Sequence, residues 1–233
     1  MRAVHGAREV TIRPVTLDSA REQVAAAGRR LAAEGLVLGT AGNVSARRGG
    51  EVAITPTGAV LAQLEPEQVS VVDLDGQQVH GELAPTSELD LHLGVYRRYD
   101  AGAVVHTHAP MATALSCVLG ELPCVHYQML LLGGTVPVAG YATFGTPELA
   151  QSVLDALEGR SAALMANHGA IVHAQDVDGA VELTLLLEWA CTVYWRAAAI
   201  GEPRVLGDEQ REAVVAAVLS RDYGTTHRVS EDG

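Results

Sequence analysis

Apolar residues recur along this chain at two spacings. Between Thr16 and Gly35, Leu17, Val24, Ala27, Leu31 and Ala32 fall at helical intervals, with Asp18 or Ser19 as the expected N-cap and Gly35 as the stop. Short strand-like runs follow at Asn43–Ala46, Val52–Thr55 and Val69–Leu74. Asp75-Gly76 is a hairpin signal leading into Gln77–His80. A helix is expected from Ser87 to Tyr99, a strand from Ala103 to His108, and a helix opened by Pro110 and closed near Gly120. A strand near Val136–Val138 and a helix from Pro147 to Leu157 come next, then short strands at Ala162–Ala166 and Ala170–His173. The longest helical pattern runs from Val177 to Ile200. A last helix, Asp208 to Arg221, precedes a polar stretch from Asp222.

Strands cluster in the middle and helices are spread throughout. Too many connections are hairpin-length for a βαβ repeat, so the pattern describes an α/β fold with a sheet covered by helices. No internal repeat or linker interrupts the 233 residues, which are read as one domain over 1–233 with a flexible tail from about residue 224. The richest apolar stretch, Leu183–Leu187, is flanked by Glu182 and Glu188, so no membrane span is expected. The first residues lack an apolar signal core, and the expectation is a soluble cytoplasmic protein.

Charge and composition narrow the function. The net charge is 16 − 28 = −12, which argues against nucleic acid and against an anionic membrane surface. All sixteen cations are arginine. Without lysine there is no Schiff-base aldolase chemistry, no pyridoxal-phosphate catalysis and no Walker-type phosphate loop. Cys117, Cys124 and Cys191 form no C-x-x-C pair and read as reduced, mostly buried thiols.

Four constellations could carry chemistry. In His106-Thr107-His108 the two imidazoles, at i and i+2 of a strand, lie side by side, which is either a polar strand end or half of a zinc site. His168, in the turn Asn167-His168-Gly169, would be a third ligand and would leave a position open. Pro85-Thr86-Ser87-Glu88 looks like a helix start with hydroxyls at the cap and Glu88 in the first turn, able to meet an anion without lysine. His92, four residues on, shares that face as a ligand or a structural group. Thr40–Ser45 and Thr55–Gly58 are Gly-and-hydroxyl turns that offer donors to a phosphate, or simply turn. Arg47-Arg48 and Arg97-Arg98 are alternative anion sites or solvated faces.

In combination, Thr40–Ser45, Ile54–Gly58, Pro85–Glu88, His106–His108, His126-Tyr127, Tyr141–Thr146 and Asn167–Gly169 resemble the zinc-dependent class II aldolase/adducin superfamily, within it the L-fuculose-1-phosphate aldolase branch. The resemblance covers nearly the whole chain. It implies a three-layer α/β/α fold with a central, mostly antiparallel or mixed sheet. It also implies one Zn2+ per subunit held by His106, His108 and His168, with Glu88 as resting fourth ligand and base. The phosphate pocket maps to Gly42, Asn43, Thr57, Gly58, Thr86 and Ser87; Thr86 departs from the family's serine but keeps the hydroxyl. Tyr127 and Tyr223 map to tyrosines that reach a neighbouring subunit's active site in a homotetramer.

The implied reaction cleaves a ketose 1-phosphate, such as L-fuculose 1-phosphate, to dihydroxyacetone phosphate and an aldehyde such as L-lactaldehyde. Zinc would be the Lewis acid in place of a lysine iminium. Rivals on the same scaffold are a 5-deoxypentulose-1-phosphate aldolase, L-ribulose-5-phosphate 4-epimerase (whose aspartate stands where Glu88 is), methylthioribulose-phosphate dehydratase and sugar-acid phosphate decarboxylases. A non-catalytic adducin-like domain would lack the metal ligands. His5, His80, His173 and His227 receive no role.

Overall fold

A computed structural model describes residues 16–221; Tyr223, His5, His227 and the expected tail lie outside the described residues. The first helix, α1 (Leu17–Ala33), is capped by Thr16, whose hydroxyl accepts from Ser19 N, and not by Asp18 or Ser19. Four strands follow: β1 (Asn43–Arg48), β2 (Glu51–Ile54), β3 (Ser70–Asp73) and β4 (Gln78–His80). Then come α2 (Leu89–Arg98), β5 (Ala103–Thr107), α3 (Pro110–Ser116) and a two-residue strand β6 (Glu121–Leu122). The rest is β7 (Val136–Ala139), α4 (Pro147–Ala156), β8 (Ala162–Met165), β9 (Gly169–Ala174), α5 (Val177–Ile200) and α6 (Asp208–Arg221). Strand β6 and a 3-10 helix at Tyr127–Leu132 carry too few residues to show a period, and the pattern missed both.

The nine strands form one sheet in the order β4-β3-β2-β1-β5-β9-β8-β7-β6. Every pairing is antiparallel except β7 with β8, where α4 makes the crossover. Side chains alternate across this sheet, so each face has its own core. Val44, Ala46, Val105, Leu164 and Val172 pack with α1, α3 and α5. Ile54, Val104, Ala163, Met165 and Ile171 pack with α2 and α4. The result is the three-layer arrangement expected. Both cores are aliphatic, as a chain with nine aromatics requires. Cys124 and Cys191 are buried among them and Cys117 is exposed, in keeping with a mostly buried set.

The central strand β5 lies between β1 and β9, with His106 opposite Asn43 on one side and Ile171 on the other. Among the described residues no helix is long and apolar enough to cross a membrane.

Candidate active site

The histidines meet where three connections converge on the end of β5. His106 is the penultimate residue of β5 and wholly buried; the strand ends at Thr107, one residue sooner than expected, so His108 lies just beyond it. His168 is in the β8–β9 hairpin. Asn167 beside it holds φ 55°, the left-handed region that asparagine tolerates better than most residues, and this turns the chain back toward β5. Two glycines let the connections close. A Cβ at Gly169 would lie 2.2 Å from the Thr107 carbonyl oxygen, and one at Gly42, where φ is 84°, would lie 2.9 Å from that of His106. Across α3, Glu188 of α5 accepts from the N–H groups of Met111 and Ala112, both at 2.8 Å. It caps the helix that begins just after His108, a role that no local spacing announces.

The three imidazole rings stand 4.9 Å apart pairwise, each pair near perpendicular. One donor atom from each lies within 4.8 Å of the others. His106 Nδ1–H donates to the Ala170 carbonyl at 2.9 Å, so its Nε2 presents a lone pair, 3.1 Å from His108 Nε2. Glu88 completes the cluster, with Oε2 at 3.2 Å from His106 Nε2 and Oε1 at 3.5 Å from His168 Nε2. That Oε1 is buried and makes no hydrogen bond among the described residues. Ligands about 2.0–2.1 Å from a tetrahedral zinc lie about 3.3 Å from each other, so these spacings and the orphaned oxygen suit such an ion.

The protonation states suit it too. Burial first, then charge at His106 and His168, pushes His108 down to about 4, and burial first, then charge at His106, lowers His168. Both are therefore neutral near pH 7, as metal ligands must be. Burial alone would push the Glu88 carboxyl up; at acid pH, hydrogen bonding and charge from a protonated His106, the Asn43 amide and charge at His168 outweigh it and hold the group below the usual carboxylate range.

Glu88 is not in the first turn of a hydroxyl-capped helix, as the spacing suggested. It is itself the N-cap of α2, with no side-chain cap bond, and its N–H donates to Thr86 Oγ1 at 3.3 Å. Its side chain is thereby free to turn into the cluster. Asn43 Nδ2 donates to Glu88 Oε2 at 2.9 Å. His92, read as either ligand or structural group, is no part of the histidine cluster; it is wholly buried behind Asn43, and burial pushes it down to about 3.

A cleft of about 360 Å³ opens in front of the cluster. Gly42, Asn43, Thr57, Gly58, Thr86 and Ser87, the residues assigned to phosphate, all line it together with Glu88, His108 and His168. Among the described residues no arginine lines it. Arg47 and Arg48 are at the opposite end of β1, and Arg98 pairs with Asp155 and Glu158 on the surface. Tyr141 and Phe144, not singled out as site residues by the sequence reading, stand exposed on the cleft wall. Their signal was two of nine aromatics within four residues, between Gly140 and Gly145. Tyr127 does not reach this cleft within one chain; it lines a separate apolar groove with Leu131 and α6 residues such as Val215.

The helix-covered sheet thus gathers three imidazoles and a carboxylate at the head of a cleft, a group of ligand atoms that could hold a metal ion. The family described as Class II Aldolase and Adducin N-terminal domain matches residues 22–195, and the chain belongs to it. A 5-deoxy-D-ribulose 1-phosphate aldolase of Bacillus thuringiensis serovar kurstaki is 39% identical over 84% of this chain and 93% of its own length. The L-fuculose phosphate aldolase of Escherichia coli is 40% identical over 80% of this chain and 86% of its own. The solved structure of an L-fuculose 1-phosphate aldolase superposes with a TM-score of 0.83 at 36% identity, covering 88% of this chain and 97% of that one.

Proposed function

We propose that this chain is a zinc-dependent aldolase that reversibly cleaves a deoxyketose 1-phosphate, L-fuculose 1-phosphate or a close analogue, to dihydroxyacetone phosphate and an aldehyde. The observation that carries the reading is the cleft itself, with Glu88 and the three imidazoles beside a wall of hydroxyls and backbone amides. His106, His108 and His168, with Glu88 as the displaceable fourth group, would hold the zinc. When bound, it supplies the Lewis acid that stabilises the carbanion left by C3–C4 cleavage.

The remaining steps belong to the chain. Thr57, Gly58, Thr86 and Ser87 bind the phosphate through hydroxyls and N–H groups, with no cation needed. Glu88 returns a proton to C3 of the product and removes it in the reverse direction. Its suitability lies in a carboxylate held ionised inside the cleft and reachable from it. Tyr127 assists loss of the C4 hydroxyl proton from the neighbouring subunit of a homotetramer, and Tyr223 joins it there. The chain acts as one domain in the cytoplasm.

A 5-deoxypentulose 1-phosphate is the second reading, favoured by the Bacillus relative and its 93% coverage. The test incubates purified, metal-analysed protein with L-fuculose 1-phosphate, 5-deoxyribulose 1-phosphate and L-ribulose 5-phosphate. Dihydroxyacetone phosphate from either 1-phosphate is expected, the faster substrate choosing between the two readings. Release from neither, or epimerisation of the third, would overturn the aldolase assignment.

A further inference from the structure

Four buried polar side chains form a line that ends on the Glu88 carboxylate. On β1, Asn43 and Ser45 are two residues apart and share a face of the sheet; on α2, His92 and Tyr96 are four apart and share a face with Glu88 at the helix start. Two strand residues and four helix residues each advance about 6–7 Å, so the two rows interlock. Tyr96 Oη meets Ser45 Oγ at 2.7 Å, and Ser45 Oγ meets His92 Nδ1 at 2.7 Å. His92 Nε2 bonds Asn43 Oδ1, and Asn43 Nδ2 lies 2.9 Å from Glu88 Oε2. All four groups are buried.

The line has a direction. An ionised carboxylate only accepts, so the amide must turn its NH2 to Glu88 and its oxygen to His92. His92 then carries its proton on Nε2, and its Nδ1 must accept from the Ser45 hydroxyl. Ser45 in turn accepts from Tyr96. Docking a helix on this face of the sheet needs none of this, since α4 does it with Leu149 and Val153. The same bonds account for Asn43: its amide faces inward to Glu88 and His92.

We propose that His92 is a positioning residue for the reaction: through Asn43 it holds the Glu88 carboxylate in one orientation, with Oε2 on the amide and Oε1 turned to His168. The proposal rests on the role proposed above for Glu88. It needs no contact between His92 and substrate.

The zinc-loaded full chain is the test material. Nitrogen-15 spectra of its histidines should show His92 protonated on Nε2 with an accepting Nδ1; an Nδ1–H tautomer would reverse the line and overturn the proposal. With dihydroxyacetone phosphate in deuterated water, His92→Leu should lower the maximal C3 exchange rate by about 10–100-fold with KM held within about twofold. His92→Gln, whose amide can reach the Nε2 position, should recover most of that rate. In a Glu88→Gln background, His92→Leu should cost almost nothing further. Equal fold-losses in both backgrounds, or melting points lowered with exchange intact, would mean a purely structural histidine. If His92→Leu does not fold, Ser45→Ala decides: it should mix the His92 tautomers and slow exchange, and unchanged tautomer and rate would overturn the proposal. Undiminished exchange in Glu88→Gln alone would instead sink the Glu88 reading. Loss there beside normal exchange in a folded His92→Leu would sink only the positioning role.

Discussion

His106 Nε2 and His108 Nε2 face each other at 3.1 Å, and the first of them is a bare lone pair because Nδ1–H is held by the Ala170 carbonyl. Two imidazoles so close, with the Glu88 carboxylate 3.2 Å from His106, are best reconciled by a cation between them.

Zinc occupancy should therefore depend on each ring. His106→Ala is expected to lower zinc affinity by about tenfold or more, and with it zinc content, on the order of magnitude seen when metal sites lose a supporting group. Titrating zinc into chelator-stripped protein should raise its unfolding free energy by about 4 kcal/mol at 1,000 times the Kd. Metal analysis and melting curves check both; full zinc occupancy in His106→Ala would show that the ligand set is wrong.

Glu88→Gln should retain zinc through the three imidazoles yet lose proton exchange on dihydroxyacetone phosphate by about 10²–10⁴-fold, the usual worth of a general base. The amide is nearly isosteric and keeps the hydrogen bonding to Asn43 within reach, so the fold should survive. Exchange at the wild-type rate would remove Glu88 from the chemistry.

Gly169→Ala tests how the His168 hairpin closes on β5. The added methyl would meet the Thr107 carbonyl oxygen at 2.2 Å, backbone against backbone, with no flexible group to yield. A loss of about 1–3 kcal/mol in urea unfolding is expected, together with weaker zinc binding because His168 shifts. A neutral effect on both would show that the hairpin can relax away from the strand.

Acid should destabilise the metal-free protein through His92. Its ordinary value of 6.5 is pushed down to about 3 in the folded chain, by burial first and by charge at His106 next, against the opposing carboxylate of Glu88. Above pH 6.5 folded and unfolded chains both hold it neutral, so it adds no slope. Below that the unfolded chain takes up the proton first. Stability is then lost as pH falls from 6.5 toward 3, by up to a few kcal/mol from this group. His92→Gln should flatten the curve in that window; an unchanged slope would place the titration elsewhere.

Much of this was legible in one dimension because it depends on local spacing. The first helix follows from the helical spacing of Leu17, Val24, Ala27, Leu31 and Ala32, and the hairpin at Asp75-Gly76 from turn chemistry. The histidine pair followed from the two-residue repeat of a strand, and the absence of lysine from composition. What the sequence could not decide were relationships across the sheet. Asn43, which the family resemblance assigns to the phosphate pocket, lines the cleft, and its side-chain amide also bonds His92 and Glu88, which are 49 and 45 residues away. His92 looked like any helix histidine until β1 brought Ser45 and Asn43 against both of its nitrogens. Glu88 looked like a first-turn acid, and only the packing of α2 against β1 and β5 turned it inward. Spacing along a chain determines which face a side chain shares, but its hydrogen-bond partners are chosen by strand order and register, which exist only once the sheet has closed.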